Sequence, residues 1–320
     1  MASFLTLTLL VLTAQSTPPV PSAMQQAIGI QVALDRAGFS SGVIDGRMGA
    51  NTQRAIEAHR RQNGTAPAPF AQPLLEYRVT AEDVAGPFVE QIPADLMEQS
   101  KLPALNYRSV VEALAERFHT TPEVLRKLKP SATFAADSAI LVPNVEPLAI
   151  PAATAKTDAQ VAEPRATGTS GRGKAAADPQ NDKPEVVVRV SRSASSLTAT
   201  DASGKILLFA PVTTGSNNDP LPIGEWTVTS VLRNPTFRYN PDLFWDADPS
   251  HTKATIPPGP NGPVGLVWID ISKEHYGLHG SPEPSKIGHT ESHGCVRLTN
   301  WDALRLAALV KRGTRVVFAE

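Results

Sequence analysis

The stretch His279-Gly280-Ser281-Pro282-Glu283-Pro284-Ser285-Lys286-Ile287-Gly288-His289-Thr290-Glu291-Ser292-His293-Gly294-Cys295-Val296-Arg297-Leu298 decides how the rest of the chain is read. Four of the seven histidines (His275, His279, His289, His293) and the only cysteine fall within residues 275–295. A thiol attacks as thiolate, and a neighbouring imidazole can both take its proton and stabilise its charge. Gly294 removes a Cβ directly before Cys295 and lets a substrate carbonyl approach the backbone. Successive N–H groups at His293, Gly294 and Cys295 can then hold an oxyanion, as acyl transfer requires. Arg297 lies two residues on, so in an extended segment it shares a face with Cys295 and can meet a carboxylate.

Each of these residues also has a plainer reading. A histidine such as His279 or His293, taken alone, is more often a hydrogen-bonded structural side chain, and a lone cysteine is more often a small buried hydrophobe. Zinc is the sharper rival: His289, His293 and Cys295, with His275 or His279, supply enough borderline-soft ligands. Nothing forces a helix through residues 288–295, however, so the spacing of His289 and His293 need not put both on one face.

Outward from this stretch, residues 185–320 alternate as β-structure. Val186 to Val190 and Lys205 to Phe209 read as strands, the second preceded by an Asp201-Ala202-Ser203-Gly204 turn. Pro211 to Thr214, Gly224 to Val231, Val264 to Ile271 and Thr314 to Phe318 add further strands. One helix is clear, with Asn300 as its N-cap, apolar residues to Val310, Lys311 and Arg312 at its end, and then Gly313. The expected architecture is mostly β with one helix.

His279-Gly280, Ile287-Gly288 and Ser292-His293-Gly294-Cys295-Val296-Arg297-Leu298 together resemble the signature of the L,D-transpeptidase catalytic domain family. The flanks agree: Asn234-Pro235, Gly259 to Gly265, Tyr276-Gly277-Leu278 and Asn300-Trp301-Asp302. The resemblance implies that Cys295 attacks a peptidoglycan stem peptide at the third-residue diamino acid, and that His279 deprotonates the thiol and protonates the departing D-alanine. The backbone at Gly294 and Cys295 would stabilise the oxyanion, while Ser292, His293, Gly280 and Arg297 orient the substrate or bind its carboxylate. An amine from a neighbouring stem would resolve the thioester into a 3→3 cross-link, with no metal and no cofactor. Two other outcomes stay open: the same site as a hydrolase (a carboxypeptidase, or an amidase releasing a wall-linked protein), and a non-catalytic wall-binding protein. No acidic residue is an obvious third triad member; Glu291 is nearest in sequence, and a backbone carbonyl would orient His279 equally well.

Upstream, Ser22 to about Ala37 and Asn51 to about Gln62 read as helices, with Asn51 capping the second and Gly64 ending it. Gln31-Val32, Gly38-Phe39, Ile44-Asp45-Gly46, Gly49 and Asn51-Thr52 resemble the three-helix peptidoglycan-binding domain family over residues 22–66. A strand–helix–helix–strand pattern from Tyr107 to Pro143, within residues 103–145, is similar to a lysin-motif module, although it lacks the Gly-Asp-Thr usual after the first strand. The expected fold class is therefore multidomain: a small all-α three-helix domain, a small α+β module and the mostly-β domain at 185–320. Residues 151–184 contain no Leu, Ile, Phe, Tyr or Trp and are expected to form a disordered linker. Proline, 29 of 320 residues or about 9%, exceeds the roughly 5% of average proteins, as such linkers require.

The apolar run Phe4 to Ala14 has the length of a signal-peptide core, and Ala14-Gln15-Ser16 is a small-x-small cleavage site, so residues 1–16 are expected to be a leader and the product to be exported to the periplasm or cell wall. The run is too short to span a bilayer, so no stable membrane span is expected. Thirty basic against 31 acidic residues argue against nucleic acid as a partner. The expected partners are peptidoglycan stem peptides and glycan, with a wall-linked protein amine as a further acceptor, and a monomer is expected.

Overall fold

The computed structural model describes residues 22–149, 161–162 and 185–320. The leader at 1–16 lies outside them, as does the linker at 151–184 apart from Val161 and Ala162. Helix α1 (Ser22–Arg36) buries Ala27, Ile28, Gln31, Val32, Leu34 and Asp35 along one stripe, and α2 (Ala50–Asn63) buries Thr52, Ala55 and Ala58. Gln31 ties the intervening turn down. Its Nε2 donates to Asp45 Oδ1 (2.9 Å) and to the Arg47 carbonyl (3.0 Å), and its Oε1 accepts from the Gly46 N–H (2.9 Å). Gly49, not Asn51, occupies the N-cap of α2. Asn51 lies inside the helix, where its Oδ1 accepts from Arg54 and its Nδ2 donates to the Ile287 carbonyl (3.0 Å). Residues 22–66 hold two α-helices rather than the expected three.

Strand β1 (Leu74–Arg78) is followed by the short helices α3 (Ala81–Ala85) and α4 (Leu96–Gln99), then α5 (Val110–Arg117), α6 (Pro122–Leu128) and strand β2 (Ala139–Pro143). β1 pairs antiparallel with β2, from Leu74 opposite Pro143 to Arg78 opposite Ala139. The first strand of this unit therefore lies at 74–78, not near Tyr107 as expected. Residues 79–109 are inserted between it and α5, and Tyr107 is a buried residue of that insertion. The unit has no core of its own. Ile28, Val32 and Ile44 join Val79, Leu114, Leu125 and Ile140 in one apolar cluster.

The C-terminal region supplies β3 (Val161–Ala162), β4 (Val186–Ser191), β5 (Ser196–Asp201), β6 (Ile206–Pro211), β7 (Gly224–Arg233), β8 (Thr236–Tyr239), β9 (Ala254–Ile256), β10 (Val267–Ile271), β11 (Gly277–His279), β12 (Val296–Arg297), helix α7 (Asn300–Leu309) and β13 (Arg315–Ala319). Eight of the strands form one sheet in the order β12-β11-β10-β7-β13-β4-β5-β6, and β3, β8 and β9 form a separate three-stranded sheet. Alternation sorts the large sheet's faces: Val186, Val188 and Val190 are buried while Arg189 is exposed. Leu278, Val296, Ile269 and Phe318 join the same core, and α7 adds Ala303, Leu306 and Ala307 to it. Thr299 rather than Asn300 caps α7, its Oγ1 accepting from the Asp302 N–H at 3.2 Å. The Asn300 side chain is occupied elsewhere, as described below.

The two halves pack against each other. Ser40 N–H donates to the Phe209 carbonyl and Phe209 N–H to the Gly38 carbonyl, both at 2.8 Å, so residues 38–40 cover the edge strand β6. Leu34, Phe39, Ala55 and Ala58 pack on Phe209. Beside them, Asp35 of α1, His119 after α5 and Arg305 of α7 form a buried polar cluster, with the His119 ring stacked on Trp301 at 5.2 Å. Ser40 Oγ donates to Asp302 Oδ2 at 2.8 Å.

Candidate active site

Register places the candidate residues on one face of the sheet. β11 and β12 run parallel with Leu278 opposite Val296 and His279 opposite Arg297, so Cys295, just before β12, lies beside Gly277. Antiparallel β10 puts Trp268 opposite His279. Paired residues project to the same side, and neighbours along a strand alternate. Gly277, His279, Cys295, Arg297 and Trp268 thus share one face, while Leu278, Val296, Val267 and Ile269 fill the core behind it.

His279 is only 4% exposed. Its Nδ1 lies 2.7 Å from the Gly280 carbonyl oxygen. A carbonyl can only accept, so Nδ1 carries the proton and Nε2 is left with the lone pair, the tautomer a general base needs. Trp268 stacks on the ring at 5.5 Å and 21°. Burial, with the Arg297 charge adding to it, pushes the imidazole down to about 3, so the ring is neutral throughout the physiological range. Gly280 itself is fixed by a close approach: a Cβ there would stand 2.1 Å from Asn300 Oδ1. Asn300 spans the gap, its Oδ1 accepting from the Leu266 N–H (3.0 Å) and its Nδ2 donating to the Pro260 carbonyl (3.2 Å).

Cys295 is half-buried and packs beside Val264 and Trp268. Its thiol donates to the His275 carbonyl at 3.8 Å. Burial pushes the thiol up, while the Gly277 N–H and the Arg297 charge pull it back part of the way. The resting pair is therefore thiol and neutral imidazole rather than thiolate and imidazolium. Gly294 has φ of 95°, a left-handed conformation that disfavours other residues, and a Cβ there would lie 2.5 Å from Tyr276 Cε1. Ser292 closes the turn, its Oγ donating to the Cys295 carbonyl at 2.6 Å. The Ser292 N–H donates to Thr214 (3.0 Å) and its carbonyl accepts from Ser216 (3.1 Å), so residues 213–216 brace the turn from outside.

The remaining histidines disperse. His293 Nε2 meets Asp246 Oδ1 at 2.8 Å, with Phe244 edge-on at 5.3 Å and Trp245 at 6.2 Å. His289 Nε2 lies 3.4 Å from the Asn51 amide, and the exposed His275 ring lies 3.6 Å from Glu274. Arg297 is largely buried, and its Nε has no hydrogen-bond partner among the described residues. Sequence reasoning missed Trp268, Asn300 as a strut for Gly280, and the pairing of His293 with Asp246. Only the Asn300-Trp301-Asp302 flank carried any signal for them.

The family model described as the YkuD L,D-transpeptidase catalytic domain matches residues 185–318. Those residues are thus similar to the L,D-transpeptidase catalytic domain family. Among curated relatives that bear an L,D-transpeptidase name, YkuD of Bacillus licheniformis is 52% identical over 59 residues, covering 18% of this chain and 36% of that protein. YkuD of Bacillus subtilis is 31% identical over 129 residues, 40% and 63% of the respective chains. The chain thus spans between about a third and two thirds of the length of these relatives. L,D-transpeptidase 3 of Mycobacterium tuberculosis overlays with a TM-score of 0.35 at 21% identity, covering 43% of this chain and 62% of that one. The matched region, residues 185–318, is mostly β with one α-helix, α7, among its described residues.

Proposed function

We propose that this protein is a peptidoglycan L,D-transpeptidase that forms 3→3 cross-links through a thioester at Cys295. The observation that carries this reading is the shared sheet face of Cys295, His279 and Arg297, with the His279 tautomer fixed by the Gly280 carbonyl. The S–H turns from the His275 carbonyl to His279 Nε2, and the sulfur attacks the carbonyl of the third-residue diamino acid as its proton passes to the imidazole. The tetrahedral oxyanion faces the N–H groups of Gly294 and Cys295, which have no acceptor among the described residues. Collapse breaks the peptide C–N bond, and the imidazolium returns its proton to the departing D-alanine amine. The acceptor amine then attacks the thioester, His279 takes its proton, and the thiol is restored.

Arg297, buried beside the sulfur and not fully bonded, supports binding of a substrate carboxylate on the same face. The upstream units 22–66 and 74–145 fit a wall-anchoring role, and export to the periplasm or wall follows from the substrate. The test is incubation with muropeptides bearing tetrapeptide stems. Cross-linked dimers with free D-alanine are expected; tripeptide monomers alone would make the enzyme a carboxypeptidase, and loss of no D-alanine would leave only binding.

A further inference from the structure

We infer that the cavity where the three sequence units meet is a second binding site, which takes a short peptide carrying both a carboxylate and an ammonium group. The cavity is about 460 Å³, within the ~300–1,000 Å³ of small-ligand sites. Arg47 and Asp45 of the first turn, Glu123 and Lys127 of α6, and Ile287 and His289 of the loop between His279 and Cys295 all line it. Only docking of the N-terminal half onto the C-terminal region brings these walls together. The Asn51 amide, donating to the Ile287 carbonyl, holds two of them in place.

The ligand class follows from what the walls leave unused. The Arg47 guanidinium donates no hydrogen bond among the described residues; its charge reaches Glu123 across the cavity, whose carboxylate is held by Lys127 at 2.6 Å. Asp45 Oδ1 is taken by Gln31 and by the Arg47 N–H, but its Oδ2 has no partner there. Ser41, 3% exposed and on the cavity wall, has an Oγ with no partner. A buried hydroxyl normally finds one, so a χ1 turn of Ser41 towards the cavity would offer its Oγ to a bound group. A cation, an anion acceptor and a hydroxyl within one concavity suit a peptide with both charges. No Trp, Tyr or Phe lines the cavity, so the flat ring on which a sugar would stack is missing.

That the peptide is a wall stem rests on the proposed function, so the experiment separates the two. The full chain carrying Cys295→Ala is exposed to a stem tetrapeptide bearing a photoreactive group, and the adducts are mapped by mass spectrometry. Adducts within residues 41–52 and 121–127 are expected, falling at least tenfold in Arg47→Glu and persisting in Arg47→Lys. In the chain with Cys295 intact, carbapenem acylation of that thiol should be unchanged by Arg47→Glu. Adducts confined to the Cys295 face, equal labelling in Arg47→Glu, or competition by a peptide-free disaccharide would overturn the site. Groove labelling with no acylation of Cys295 would sustain the site and remove the transpeptidase reading instead.

Discussion

Arg305 of α7 grips Asp35 of α1 with two hydrogen bonds, Nη1 to Oδ2 at 2.9 Å and Nη2 to Oδ1 at 2.8 Å. The pair joins the N-terminal half to the helix that backs the eight-stranded sheet. Burial alone would push the Asp35 carboxyl up, but His119 and Arg305 outweigh it and hold the group well below the carboxylate range. A depressed acid contributes stability above its unfolded pKa of about 4, and that stability is lost as pH falls towards the folded value. Asp35→Ala leaves the Arg305 charge and the His119 ring without their buried partner. It should cost about 3–5 kcal/mol in urea denaturation at pH 7, and the loss should shrink below pH 4.

Two other carboxyls act in the opposite direction. Burial pushes Glu116 up to about 8, and burial likewise pushes Asp302 up to about 6. An acid whose folded pKa is raised binds its proton more tightly in the native state. Stability then falls as pH rises from the unfolded pKa through the folded one. The urea midpoint should therefore be highest near pH 5 and decline to pH 8. Glu116→Gln, which keeps shape and carries no charge, should flatten part of that slope and gain at least about 1 kcal/mol at pH 8. A midpoint constant between pH 5 and 8 would refute the assignment.

At the active site, Cys295→Ala should abolish thioester formation, and His279→Ala should slow it by about 10² to 10⁴, as loss of a general base does. With the imidazole pushed down to about 3, acylation has no acid limb from His279 between pH 5 and 7. The rate should instead rise towards the raised thiol pKa. Stopped-flow acylation by a carbapenem checks this, and a limb near pH 6.5 would mean that the imidazole titrates in the ordinary range.

Gly294→Ala tests the turn before the nucleophile. The added methyl meets both a left-handed φ and the Tyr276 ring at 2.5 Å. Strain of this kind costs about 1–3 kcal/mol, enough to displace the Cys295 N–H without unfolding the sheet. Acylation should drop at least tenfold, while the urea midpoint moves little in comparison.

Much of the candidate site was legible because it is local in sequence. Cys295, Gly294 and Arg297 sit within four residues, and alternation alone predicts that Cys295 and Arg297 share a face. The strands around Val186 and Arg315 are rich in valine, and the one at Ile206 is a continuous apolar run, so all three stand out in sequence. β11 and β12 do not, being three and two residues long and shaped by pairing rather than pattern. β5 reads Ser-Leu-Thr-Ala-Thr-Asp, too polar to stand out beside its neighbours. At the misplaced caps Asn51 and Asn300 the side chains bond backbone groups that no local window contains, the Ile287 carbonyl for Asn51 and the Leu266 N–H and Pro260 carbonyl for Asn300. The first strand of the 74–145 unit was missed because thirty-one residues separate it from the helices it frames. The docking of the N-terminal half rests on Asp35, an acidic residue on a helix, which in sequence reads as a solvated position.

The contact between His293 and Asp246 joins the turn bearing Cys295 to the segment between β8 and β9. Both side chains are partly exposed, 31% and 45%, so this polar contact is worth at most about 0.2–1 kcal/mol. The rings of Phe244 and Trp245 against the same imidazole add about 0.5–1.5 kcal/mol for a well-placed pair. The aromatic contacts, more than the polar one, should therefore keep this segment against the turn that bears Cys295. Asp246→Ala should raise the KM for a tetrapeptide stem by less than about fivefold and leave kcat unchanged. His293→Ala, which removes the ring contacts as well, should raise KM by about tenfold or more. Trp245, 63% exposed, is free to meet a long substrate, so Trp245→Ala should weaken a tetrapeptide more than a carbapenem. Steady-state kinetics on both ligands decide the order, and an Asp246→Ala defect equal to that of His293→Ala would show that the polar contact is the main tether.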